Sequence, residues 1–175
     1  MTDIPDGLVL KRHRDLEGLR RRLWPRRALL ALLGVFALFG LANVFGQRPA
    51  TATARSAAAT VTLNVPNHLR GGLLFSARIH VTARRDVKDA VLVLDQGWAE
   101  GMAINTIEPS PLGQASRNGK LSLDLGHIPA GRSYVLYLQF QVNATNVAWH
   151  RPAGLTLYDG ATRLLHIDRS LTIYP

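Results

Sequence analysis

Residues 28–46 read ALLALLGVFALFGLANVFG, nineteen positions of which only Asn43 is clearly polar. At a rise of about 1.5 Å per residue, a helix of that length covers about 28 Å, close to the thickness of the hydrocarbon layer of a bilayer. Lipid offers backbone N–H and C=O groups no partner, so an isolated run of this kind has to satisfy them within itself as a helix. The reading is one membrane-spanning helix, preceded by the arginine cluster Arg20, Arg21, Arg22, Arg26 and Arg27.

Lys and Arg close to a span set its orientation. Residues 11–27 hold eight of them, against Arg48 and Arg55 alone in residues 47–62, so the N-terminus is expected in the cytoplasm. Trp24, Arg26 and Arg27 fall at the expected membrane interface, and Pro25 suits the first turn of a helix, where its missing N–H costs nothing. The competing reading is a cleaved signal peptide, with the arginines as its basic end and Ala50-Thr51-Ala52 or Ala52-Thr53-Ala54 as the cleavage site. Against it, the apolar run is longer than the usual stretch of about 7 to 15 residues, and both sites lie beyond its end. Upstream, Val9, Leu16, Leu19 and Leu23 fall near one helical face, and this segment reads either as a short amphipathic helix on the inner membrane surface or as a basic flank without further structure. In both cases its cations are drawn to anionic lipid headgroups. Ala42 and Gly46 form one small-residue pair at the outer end of the span, too little for a dimerisation motif.

The net charge of +9 would fit a nucleic-acid protein if it were in one place. Residues 1–27 carry eight basic against four acidic side chains, and residues 48–175 carry thirteen against eight, so about half of the excess is topology signal. No recognition motif accompanies it, and no nucleic-acid partner is expected. The chain has no cysteine, so an exported domain must rest on its core alone. That fits a bacterial envelope, and usage rich in Ala, Arg, Leu and Gly fits a GC-rich genome.

The expected organisation is a basic cytoplasmic segment (1–24), a transmembrane helix (25–46), a flexible linker (47–59) and one exported domain (60–175). The linker, QRPATATARSAAA, is small, polar and without an apolar face; extended, it reaches about 40 Å. From Thr60 the apolar period is two. Val61, Leu63 and Val65 alternate with polar residues, as do Phe75, Ala77, Ile79, Val81 and Ala83. The pattern returns at 90–94, 102–107, 121–125, 134–142, 155–157 and 165–173, with turn signals such as Asn118-Gly119 and Asp159-Gly160 between. Seven or eight short strands and no helix predict an all-β, Ig-like antiparallel β-sandwich.

The later strands carry a resemblance. Leu123-Asp124-Leu125-Gly126, then Ile128-Pro129-Ala130-Gly131, then the alternating strand 134–142 resemble the bacterial Ig-like modules of the conserved-repeat and CARDB adhesion type. The likeness covers about half of the exported domain and implies a fold. Such modules carry an Asn-x-Gly turn after the second strand, where this chain has Thr82-Ala83-Arg84-Arg85-Asp86. The resemblance implies no catalytic residue.

Nor do the residues themselves. His166 and Asp168 share a strand face, and His80 is a conceivable third member, but i, i+2 polar pairs are what the wet face of a strand ordinarily shows, and no spacing fixes a third metal ligand. No nucleophile elbow and no calcium loop is present. No catalysis, metal or cofactor is therefore expected. Arg169 is anomalous, because alternation from Leu165 to Ile173 aims it into the core; a bulge that turns it outward, a buried acid partner and a binding role are the three accounts. The better interaction candidates lie in two loops, Trp98 and Glu100 in the first and Trp149, His150 and Arg151 in the second. Trp98 has a second reading, since it directly follows a core strand and would there close the end of the sandwich. The functional expectation is a non-catalytic module in the bacterial cytoplasmic membrane. It would display its domain outside the cytoplasm for contact with another membrane or envelope protein; a cleaved, secreted polymer-binding module is the alternative.

Overall fold

The computed structural model describes residues 13–42 and 47–175, and within the first helix the side chains from Leu23 onward. Residues 1–12 and 43–46 lie outside the described residues, and with them Val9, Asn43 and one member of the Ala42/Gly46 pair. The chain divides into two compact units, residues 1–45 and 46–175.

In the first unit, α1 (His13–Leu41) is a single helix of 29 residues. Its stretch Leu23–Leu41 is long and apolar enough to cross a membrane, and a signal sequence has the same properties. The helix does not begin at Pro25: it runs through it, so the proline interrupts the hydrogen-bond ladder inside the helix instead of opening it. Trp24, Arg26 and Arg27 sit on this stretch with exposed side chains.

The second unit is all β. Its strands are β1 (Pro49–Arg55), β2 (Ala59–Pro66), β3 (His68–Arg70), β4 (Leu74–Ala83), β5 (Val87–Leu94), β6 (Met102–Glu108), β7 (Gly113–Arg117), β8 (Lys120–Ile128), β9 (Ser133–Val142), β10 (Ala148–Pro152), β11 (Leu155–Asp159), β12 (Thr162–Ile167) and β13 (Ser170–Tyr174). Two five-stranded sheets, ordered β1-β2-β4-β9-β6 and β12-β11-β5-β8-β7, are antiparallel throughout. They share one core. Val61, Leu63, Ile79, Val81, Leu136 and Phe140 of the first sheet and Leu92, Leu94, Leu123, Leu155 and Leu157 of the second are fully buried in the same cluster. Each such side chain withdrawn from water contributes about 1.5–3 kcal/mol, and alternation places every one of them on the inner face. Asn118 and Gly119, both at positive φ, join β7 to β8 through a two-residue turn that matches the twist of a hairpin.

Every strand expected from periodicity up to residue 157 is present, and further ones accompany them. The expected linker contains β1, which pairs over seven residues with β2 from Pro49↔Pro66 to Arg55↔Thr60. Its alternation is of Ala and Thr. The alanines turn inward, Ala52 and Ala54 packing against the core, while Thr53 Oγ1 meets Thr62 Oγ1 at 3.3 Å and Thr51 Oγ1 accepts from Asn64 Nδ2 at 3.1 Å. The segment is thus not a flexible tether, and only residues 42–48 stand between α1 and β1. The expected last strand is two strands in different sheets, β12 and β13, broken at Asp168 and Arg169. A third sheet, β10-β13-β3, closes one end of the sandwich, with β13 and β3 parallel.

Candidate functional site

One end of the sandwich gathers the loops named from the sequence. The chain passes from β5 into a 3-10 turn, Gln96–Trp98, and this turn packs against β10. The fit is tight: a Cβ on Gly97 would lie 1.8 Å from the Pro152 carbonyl oxygen, so only glycine allows β10 this close. Trp98 is the residue that the turn drives inward. It is 1% exposed, its Nε1 donates to the Gly154 carbonyl at 3.0 Å, and its ring lies 5.4 Å from that of Phe140, which stacks on Phe75 at 5.0 Å. Trp98 therefore closes the core and is removed from the contact surface.

Of the other four residues, Glu100 and Arg151 come together. Arg151 donates through Nη1 to the Glu100 carbonyl and through Nη2 to Asn146 Oδ1 at 2.9 Å, while its Nε stands 3.8 Å from the Glu100 carboxylate. Asn146 in turn donates to the Gly101 carbonyl at 2.9 Å. The Arg151 side chain is 12% exposed and that of Glu100 59%, so the arginine works as a clamp between the two loops and the glutamate faces solvent. Asn146 was missed as a partner because nothing in a loop sequence tells which amide will point inward. Beside the clamp lies a cleft of about 350 Å³ lined by Asp95, Gln96, Gly97, Glu100, Lys120, Arg151 and Pro152, in which Lys120 Nζ reaches Asp95 Oδ1 at 3.0 Å. It presents both signs of charge.

Trp149 and His150 project from β10. The pairing of β10 with β13 shifts register between Ala148 and Arg151, and His150 sits at φ +52°. A bulge of this kind breaks the alternation, which is why two consecutive side chains both face solvent. Trp149 is 68% exposed and meets the Tyr174 ring edge-on at 5.5 Å; Tyr174 also lies 5.8 Å from the His68 ring. Neither Tyr174 nor His68 stood out in the sequence: the His68 strand is too short to show a period, and Tyr174 lies just past the alternation that ends at Ile173.

Arg169 follows none of the three accounts in full. The strand breaks there, and the side chain turns toward β1 and β2 without an acid partner. It donates to the carbonyls of Ala50 (3.3 Å) and Val65 and to Asn67 Oδ1. Burial lowers its pKa from the ordinary arginine value. His166 and Asp168 approach to 3.8 Å, but His166 Nδ1 is 2.8 Å from Thr156 Oγ1 and His80 belongs to the other sheet. Among the described residues no three His, Cys, Asp or Glu side chains are placed to hold a metal ion.

No family model matches the chain, and no curated protein matches it in sequence. Similar solved structures include AvmM, which catalyzes macrocyclization in alchivemycin A biosynthesis, at 9% identity and a TM-score of 0.47, covering 73% of this chain and 97% of that one. They also include CaCohA2 from Clostridium acetobutylicum, at 12% identity and a TM-score of 0.44, covering 69% of this chain and 93% of that one. A third is a non-cellulosomal cohesin from the hyperthermophilic archaeon Archaeoglobus fulgidus, at 10% identity and a TM-score of 0.34, covering 61% and 80%. The conserved-repeat and CARDB type has no matching family model.

Proposed function

We propose that this chain is a non-catalytic contact module, held in a bacterial cytoplasmic membrane by α1 with its N-terminus in the cytoplasm, and that the loop end of its sandwich touches a neighbouring membrane or envelope protein. The observation that carries this reading is the cleft at the loop end, which bears both signs of charge and lies between loops that Arg151 clamps together. Charges of both signs held on a rigid surface are what an electrostatically complementary protein partner recognises. The polar groups there are engaged with one another, Arg151 with Glu100 and Asn146, and Lys120 with Asp95. They hold the loops in place.

Anchorage is favoured over cleavage by β1. Cutting at either small-residue site would remove strand residues that pair with β2, and cutting after Ala52 or Ala54 would also remove the Ala50 carbonyl that Arg169 bonds. The test is a photo-crosslinking amino acid at Gln96, on the exposed rim of the cleft, in intact cells expressing a C-terminally tagged copy. Mass spectrometry then reads both the N-terminus of the tagged chain and whatever is attached. An intact N-terminus with one reproducible membrane or envelope protein is the expected result. A mature chain that starts near residue 55, with no attached protein, would overturn the proposal in favour of a secreted polymer-binding module.

A further inference from the structure

A second cleft, of about 280 Å³, lies beside Trp149 and is lined by Asn67, His68, His150, Arg169, Ser170 and Thr172. Its charge is of one sign. No Asp or Glu occurs in residues 59–85 or 125–158, from which Asn67, His68 and His150 come. Asp168, next to Arg169 in the chain, has a fully exposed carboxylate whose near neighbour is His166, not the arginine. The guanidinium spends its bonds on two backbone carbonyls and an amide oxygen, all of them neutral, and its Nε is buried with no partner. A half-buried cation bonded only to neutral acceptors keeps its whole charge, and in a partly desolvated cleft that charge acts more strongly than on an open surface. The Ser170 and Thr172 hydroxyls and the Asn67 amide add neutral donors of the type that bind phosphate oxygens.

Two more observations say where the anion comes from. Aromatic rings adjoin the cleft: the His68 ring that lines it lies 5.8 Å from the Tyr174 ring, which the exposed Trp149 ring meets edge-on at 5.5 Å. Tryptophan and tyrosine beside cationic side chains are the residues that settle at headgroup level. The cleft also adjoins β1, since Arg169 bonds Ala50, and residues 42–48 are all the chain that separates β1 from α1. We infer that this cleft binds the phosphate of an anionic phospholipid headgroup, with Trp149 and Tyr174 seated in the interfacial layer beside it. The inference rests on the membrane-anchored reading above but not on the protein partner; it names a lipid contact that would keep the first cleft turned toward neighbours in the same membrane.

The test uses the full-length protein with Trp24→Phe, which leaves Trp149 as the exposed tryptophan, in phosphatidylcholine nanodiscs doped with brominated phosphatidylglycerol or with the same amount of brominated phosphatidylcholine. Bromine quenches only a tryptophan that reaches the lipid. The expected result is quenching of Trp149 several-fold stronger with the brominated phosphatidylglycerol, and loss of that preference in Ser170→Asp and in the double variant His68→Ala, His150→Ala. Ser170 and both histidines lie outside the core, and Arg169 keeps its own bonds in all three substitutions, so an unchanged circular dichroism spectrum is expected with them. No quenching, or equal quenching by both lipids that Ser170→Asp leaves unchanged, would overturn the site. Saturable binding of inorganic phosphate, read from the His150 ring signals, without any lipid preference would mark a free-anion site and overturn the lipid assignment. None of these outcomes depends on the crosslinking result at Gln96.

Discussion

Two arginines at the same end of the domain, eighteen positions apart in the chain, have opposite surroundings. Arg151 is answered: a carboxylate, a carbonyl and an amide oxygen meet its three nitrogens. Arg169 is bonded by oxygens of equal number but is met by no charge, and one of its nitrogens has no partner. The first is a closed account of donors and acceptors, and the second holds strands together while leaving its field unspent. A half-buried cation is costly, and the three hydrogen bonds that Arg169 donates across the strands offset that cost without neutralising its charge.

Four substitutions break or sharpen this contrast. Trp98→Ala removes the floor beneath the Arg151 clamp and should cost about 3–5 kcal/mol, the range for a large aromatic deleted from a core, as read from denaturant unfolding by circular dichroism. Arg169→Met keeps the volume but strands the Ala50 and Val65 carbonyls; a loss of about 2–4 kcal/mol is expected, and faster hydrogen exchange at β1 should report that this strand is the one released. Asn146→Ala cuts the link between the two loops and should cost about 1–2 kcal/mol, with the Trp149 emission shifting as β10 loosens. The smallest effect belongs to Glu100→Gln. Its carboxylate is exposed and 3.8 Å from the arginine, so less than about 1 kcal/mol should be lost, and added salt should erase most of that. If Glu100→Gln cost more than Arg169→Met, the contrast drawn between the two arginines would be reversed.

What the sequence disclosed follows how each residue is used. β4 and β9 were legible because large apolar side chains alternate over ten residues each, and the sandwich follows from them. β1 was not, because an Ala/Thr strand has the same alternation without the bulk; its evidence is the partner strand, visible only once Ala52 and Ala54 are seen against the core. The third sheet was hidden for another reason. The parallel pairing of β3 with β13 joins residues about one hundred positions apart through three-residue contacts, too short for any period. At the site, Trp149, His150 and Arg151 were legible as an aromatic and cationic loop, whereas for Trp98 the sequence left a contact role and a core-closing role side by side, and the structure takes the second. The difference lies in Gly97, whose closeness to Pro152 turns the chain, and closeness is a property of the folded state. Arg169 could be recognised as misplaced from alternation alone, but the carbonyls that receive it belong to strands more than one hundred residues earlier.

The Arg169 bonds also tie the first strand of the domain to its last connection. A pull applied at residue 48 loads two paths at once: the seven-pair ladder of β1 with β2, and the Arg169 bond to Ala50 that leads into β13 and β10. Tension between a membrane and whatever this domain grips would therefore be shared between the edge of one large sheet and one corner of the sandwich, so the arginine acts as a second fastening on a strand that is already zipped along its length.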